Sequence, residues 1–210
     1  MVPGILRRIT IAPKGETTLN RIIQSIEEKH LLPALDLVQE VFTAHENEQE
    51  GKLVRALVEE IRSKRFYIPQ LEIVALDKDT DEVIGHCIFS RIHLEGKYED
   101  RLLLLSPVCV KTELQRQHIS KHMIEYGFEK AKEMGFDAVI VEGNPRNYNA
   151  RGFVTSTPHG ILPGLTVDYP RTHPECLMVK ELRSGVLGTI TGTLEYTDYK
   201  VLCPNASVQP

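Results

Sequence analysis

Two apolar runs, RLLLLSPVCV (101–110) and DAVIVEG (137–143), bracket a stretch of helical periodicity, and this unit constrains the fold more than any other part of the chain. Each run is almost wholly apolar, the pattern of a strand covered on both faces. Between them Ile119, Met123, Ile124, Phe128 and Ala131 recur at helical spacing, which predicts a helix over 116–134 ended by Gly135. Strand, crossover helix and strand in this order place the two strands parallel and near each other in one sheet.

The chain before this unit divides by period. ILRRITIA (5–12) reads as a first short strand. From Asn20 to Thr43 the apolar residues Ile22, Ile23, Ile26, Leu35, Leu37, Val38, Val41 and Phe42 fit a helix, divided at Pro33. A second helix is expected over 50–64, with Leu53, Leu57, Val58 and Ile61 on one face. The period then changes to two: LEIVALD (71–77) and EVIGHCIFSRI (82–92), joined by KDTD, read as a hairpin. After the crossover unit, the proline-bearing stretch 155–174 reads as an ordered loop over the sheet. ECLMVKEL (175–182) and LGTITGTLEY (187–196) read as further strands. No repeat, low-complexity tract or linker interrupts the 210 residues, so a single domain of α/β (α+β) class is expected.

Charge and cysteine usage narrow the partners. The formal net charge is −4 and basic runs are short, which argues against nucleic acid. Cys87, Cys109, Cys176 and Cys203 lack CxxC spacing, which predicts buried thiols and neither a disulfide framework nor a metal site. MVPGILRRITIA contains no long apolar stretch and the chain has no apolar run of about 18 residues, so a cytoplasmic protein without membrane contact is expected.

The handover from the first apolar run to the helix reads QRQHIS (115–120). The first N–H groups of a helix lack partners and carry partial positive charge, so these amides, with Arg116 beside them, offer an anion site for a pyrophosphate, the alternative being an ordinary helix start that binds no ligand. Val108 to Val110 lead into it on a strand whose last residues have no assigned partner. Coenzyme A presents its groups in that order: two amides in the pantetheine arm, then a pyrophosphate.

The run Pro107 to Phe128, followed by GNPRNYNARGF (143–153), resembles the coenzyme-A-binding core of the GNAT superfamily of N-acetyltransferases. Gln115-Arg116-Gln117-His118-Ile119-Ser120 lies in register with that family's [QR]-x-x-G-x-[GA] loop. Gly143, Asn144, Pro145, Tyr148, Gly152 and Phe153 match the G-[DNH]-P-x-x-Y-x-x-x-G-F motif of one branch. The resemblance implies a central mixed, partly splayed β-sheet flanked by helices, and direct acetyl transfer from acetyl-coenzyme A to an amine of a small molecule or protein. It further implies that the cofactor is held by Val108, Cys109 and Val110 on the strand and by Gln115, Arg116, Gln117, His118, Ile119, Ser120 and Lys121 around the loop. The departure is His118, which stands where the family has glycine. Its imidazole either obstructs the close approach of the pyrophosphate or replaces a lost contact with a ring N–H.

By the same resemblance the thioester carbonyl is polarised by a backbone N–H near Val108–Val110, and Tyr148 is the acid for the departing thiolate, the alternative being a ring packed on the sheet. Glu142, at the end of its strand, is a candidate base. His86, His93 and Glu95 are others, and each of the four also reads as a solvated surface residue. Cys109 reads as a core thiol in preference to a covalent nucleophile. The partners implied are acetyl-coenzyme A and an amine acceptor, with the protein a monomer or homodimer. The reading from another class is a non-catalytic module that keeps the fold but has lost tight coenzyme binding, with His118 in its favour and Tyr148 against it.

Overall fold

In the computed structural model of the protein, residues 20–203 are described, and the strand expected at 5–12 lies outside them. The elements are β1 (Arg21–Ser25), α1 (Leu31–His45), α2 (Glu48–Ser63), β2 (Glu72–Asp77), β3 (Val83–Arg91), β4 (Leu102–Val110), α3 (Ile119–Glu133), β5 (Ala138–Glu142), α4 (Pro145–Tyr148), β6 (Val154–Thr155), β7 (Ile161–Pro163), α5 (Asp168–Thr172), β8 (Leu177–Glu181) and β9 (Gly192–Leu194). Seven strands form one mixed sheet in the order β1-β2-β3-β4-β5-β8-β6, and β7 pairs with β9 in a separate small sheet. Within the large sheet β4 and β5 are the parallel neighbours that the crossover unit predicts.

The helix expected from Asn20 is corrected at its start. Arg21–Ser25 is a strand antiparallel to β2, from Arg21 opposite Asp77 to Ser25 opposite Ile73. Ile22, Ile23 and Ile26 fit helical spacing, but five residues of backbone pairing along β2 outweigh so short a periodic signal. Pro33 does not divide the helix either: α1 begins at Leu31, so Pro33 sits in its first turn, where a missing N–H goes unneeded. The stretch 155–174 is less loop-like than expected, containing β7 and α5, whereas 187–196 keeps only Gly192–Leu194 as strand.

The sheet has a core on each face. Ala34, Val38, Val58 and Ile61 of α1 and α2 pack on Val74, Leu76, Ile88, Leu102, Leu104 and Ile140. On the other face α3 lays Ile119, Met123, Ile124 and Phe128 against Ile73, Ala75, Phe89, Leu103 and Val139. Gly127 permits that close approach, since a Cβ there would stand 2.2 Å from the Phe89 ring.

A shift in the β3–β4 register alters which residues of β4 face which core. Phe89 pairs with Leu105 and Cys87 with Val108, so two residues of β4 oppose one of β3. Before the bulge Leu103 and Leu105 face α3; after it Val108 and Val110 do, and Cys109 turns toward α1 and α2.

Candidate active site

The β4–β5 ladder is short. It runs from Leu102–Ala138 to Leu104–Ile140, after which β4 continues to Val110 and β5 to Glu142 without pairing to each other. The far edge of β5 stays paired with β8 along its whole length, so β4 and β5 part as a wedge open toward their C-terminal ends.

The amides on the open edge follow from the β3 pairing. Lys111 N–H donates to the Ile84 carbonyl at 3.0 Å. Backbone groups alternate sides along a strand, so Cys109, opposite His86, also turns its amide to β3, while Val108 and Val110 turn N–H and C=O to the wedge. Gln115 Nε2 approaches Val110 O from that side at 3.4 Å and lies 2.8 Å from His45 Nε2 at the end of α1. Of the three strand residues expected to hold the cofactor, two therefore offer backbone groups to the wedge and Cys109 does not.

The wedge leads to the first turn of α3. Its first intrahelical bond is His122 N–H to His118 O, at 3.0 Å. The N–H groups of Ile119, Ser120 and Lys121 have no protein acceptor among the described residues, so three donors face outward together. Arg116 and His118 both adopt left-handed backbone, with φ of 64° and 61°. His118 thus holds a conformation that glycine adopts without steric cost, and its side chain is exposed. Arg21 braces the turn, donating from Nη1 to Gln117 O at 3.0 Å, with Nη2 3.1 Å from His122 Nδ1. That Gln117 carbonyl is therefore occupied, and Lys121 is exposed beside Glu125 at 3.8 Å.

Tyr148 is the last residue of α4. Asn144 caps α4 by accepting from Arg146 N–H at 3.0 Å. The Tyr148 ring stands edge-on to Phe153, with centroids 5.5 Å apart, and lies over Gly143, where a Cβ would come within 2.5 Å of it. The ring packs, as the alternative reading had it, yet the hydroxyl makes no hydrogen bond among the described residues. Burial raises its pKa to about 12, so the phenol stays protonated at neutral pH.

Arg151, inside the same motif but not singled out by the sequence, reaches back to the 115–120 loop. Its Nη2 donates to Ser120 Oγ at 3.0 Å and its Nη1 to the Asn147 carbonyl, while Nε is buried without a partner. No carboxylate among the described residues pairs with it.

Glu142 lies on the opposite face of β5 from Tyr148. It follows Ala138 and Ile140 in the alternation that faces α1 and α2, and its Oε2 accepts from Tyr196 Oη at 3.2 Å. Glu142 is an exposed residue whose carboxyl is partly desolvated where it meets Tyr196; that desolvation pushes it above the ordinary glutamate range, and the Tyr196 hydrogen bond opposes the rise in part. Tyr196, which the sequence marks only as the end of a strand, is buried.

The other candidates are placed elsewhere. His86 is corrected from a surface residue: it is fully buried, with Nε2 2.7 Å from Glu72 Oε1. Glu72 also accepts from Arg62 Nη2 at 2.5 Å and Tyr67 Oη at 2.6 Å, completing an internal network. His93 pairs with Asp198 at 2.7 Å, and Glu95 accepts from Thr193 N–H at 3.3 Å. Cys87, Cys109 and Cys176 are free and buried, and burial pushes the Cys109 thiol up to about 12, which disfavours a nucleophilic thiolate. Among the described residues no cluster suits a metal ion and no helix is long and apolar enough to cross a membrane.

Comparison with known proteins bears on the family and the fold. YhbS of Escherichia coli K12, described as an uncharacterized N-acetyltransferase, is 27% identical over 154 residues, covering 73% of this chain and 84% of that protein. The crystal structure of E. coli YhbS in complex with coenzyme A matches with a TM-score of 0.73 at 23% identity, over 90% of this chain and 95% of that one. A GNAT family acetyltransferase from Brucella melitensis in complex with acetyl-coenzyme A gives 0.54 at 24% identity, over 64% and 83%. Residues 34–156, from α1 through the wedge and the Tyr148 turn, match the acetyltransferase (GNAT) family, and the chain belongs to that family.

Proposed function

We propose that this protein transfers the acetyl group of acetyl-coenzyme A directly to a primary amine of a small molecule or protein. The observation that carries the reading is the continuity of two donor sets: the backbone edge at Val108 and Val110 that no neighbouring strand pairs, then the amides of Ile119, Ser120 and Lys121, which have no acceptor among the described residues. An extended ligand arm with amides followed by a pyrophosphate fits both in sequence. A compact ligand would use only one.

Acetyl-coenzyme A would supply a thioester whose carbonyl carbon the amine nitrogen attacks as the carbon–sulfur bond breaks. The chain's own part is electrostatic and positional. An outward N–H at Val108 or Val110 polarises the carbonyl oxygen, help commonly worth several kcal/mol of barrier. Tyr148, held protonated, gives a hydrogen bond and then its proton to the departing sulfur. Glu142, with its carboxyl shifted toward neutrality, accepts the proton of the attacking amine, directly or through water. Arg116 and Arg151 add positive charge at the phosphates. The free cysteines suit the reducing cytoplasm.

The non-catalytic reading rests on the His118 side chain; its backbone keeps the left-handed conformation that glycine would adopt there. Two measurements test the proposal. Acetyl-coenzyme A should raise the melting temperature, by mass action on the folded state, and release of free thiol should accelerate with members of an amine panel. A melting temperature unmoved by millimolar cofactor would sink the reading, and binding without thiol release would favour the module.

A further inference from the structure

The family match ends at residue 156, yet the chain beyond it reaches the wedge. β9 pairs with β7 from Gly192–Ile161 to Leu194–Pro163. The Glu195 carboxylate then accepts from the N–H groups of Leu165 and Thr166, both at 2.8 Å, and Thr166 Oγ1 accepts from Tyr196 N–H at 2.7 Å. Tyr196 is thereby fixed at its backbone, its ring is buried, and its hydroxyl is directed at Glu142 Oε2. A phenol that fills the core could have ended in solvent or on a backbone carbonyl. Instead its one polar atom meets the carboxylate at the end of β5.

We propose that Tyr196 is a positioning residue for Glu142, so that the segment after residue 156 completes the acceptor side of the site. This rests on the acetyl-transfer reading above. The groups that face Glu142 allow it. Tyr196 approaches from the strand-β9 arm, and the Cys176 thiol lies in the turn before β8, whose carbonyl accepts from Gly143 N–H at 2.9 Å. No lysine, arginine or histidine among the described residues forms an ion pair with Glu142, so the Tyr196 hydroxyl is its directional partner. A single hydrogen bond from a neutral donor fixes the carboxylate's rotamer while leaving the other oxygen for an ammonium or a bridging water. A cation in the same place would compete with the amine. The donor and acceptor sides of the wedge then have separate origins: Tyr148 and the phosphate loop lie within the family-matched segment, whereas the brace behind the base does not.

The test combines Tyr196→Phe, which keeps the buried ring, with Glu142→Gln. With any amine that the wild type acetylates, Tyr196→Phe should lower kcat/KM about tenfold and move the acid limb of its pH profile upward by about one unit, the equivalent of one hydrogen bond. Affinity for acetyl-coenzyme A, measured by calorimetry, should be unchanged. In the Glu142→Gln background the same substitution should cost less than twofold. An equal cost in both backgrounds, or a loss with no movement of the acid limb, would show that Tyr196 acts by packing alone and would overturn the inference. Should the wild type acetylate no amine, the transfer reading falls by itself. Carbon-13 titration of the Glu142 carboxyl then decides whether Tyr196 holds it, and a titration unmoved by Tyr196→Phe overturns that too.

Discussion

Arg151 Nη2 donates to Ser120 Oγ across 3.0 Å, joining the turn after β5 to the first turn of α3. The guanidinium packs 5.8 Å from the centre of the Tyr148 ring, so one side chain touches both the loop that would hold phosphate and the residue that would protonate sulfur. A cation without a carboxylate partner among the described residues, at a helix N-terminus whose first three amides also lack one there, is poised for an anion.

Arg151→Gln is expected to weaken coenzyme A binding by ten- to a hundredfold, the scale of about 1.5–3 kcal/mol for hydrogen bonds to charged groups. The loss should be much smaller for an acyl-pantetheine, which lacks the pyrophosphate. Isothermal titration with both ligands checks it, and equal losses would place Arg151 in packing instead.

His118→Gly is expected to tighten coenzyme A binding, again with a smaller gain for acyl-pantetheine, and to leave the melting temperature at or above that of the wild type. Left-handed backbone costs a residue with a Cβ about 1 kcal/mol or more, and glycine removes that cost along with the side chain. Weaker binding by the variant would instead show the imidazole donating to phosphate.

Tyr148→Phe should lower turnover by about ten- to a thousandfold with little change in cofactor affinity, because the hydroxyl has no partner among the described residues while the ring contacts are kept. Gly143→Ala should also lower turnover, and in addition lower the melting temperature, since its Cβ would drive the ring from its place. Steady-state kinetics beside thermal denaturation separates the two.

The Glu72 network predicts an acid-sensitive core. Burial alone would raise the Glu72 pKa, but hydrogen bonds and charge from His86 and Arg62 outweigh it and bring the carboxyl down to about 2. A folded value below the unfolded one contributes stability that is complete above about 4.5 and is lost as pH falls toward 2. Urea unfolding at a series of pH values should show that slope, and Glu72→Gln should flatten it. Arg62→Met, which leaves the buried carboxylate short of a partner, should cost about 3–5 kcal/mol near neutral pH.

The sequence by itself determined the order of the main elements and the motifs from which the donor side of the candidate site is read. The apolar runs at 101–110 and 137–143, with the stripe from Ile119 to Ala131, carry their period in neighbouring residues, so β4, α3 and β5 were legible before any contact was known. Gln115 to Ser120 and Gly143 to Phe153 were legible for the same reason, being contiguous. Tertiary structure decided the rest. Ile22, Ile23 and Ile26 fit a helix until β2 offers Arg21–Ser25 an edge to pair with. The bulge in β4 sets whether Val108 or Cys109 faces α3, and it exists only as a mismatch of register with β3. Arg151 meets Ser120 from 31 residues away and Tyr196 meets Glu142 from 54, and no local pattern encodes a contact between side chains brought together by the path of the chain over the sheet.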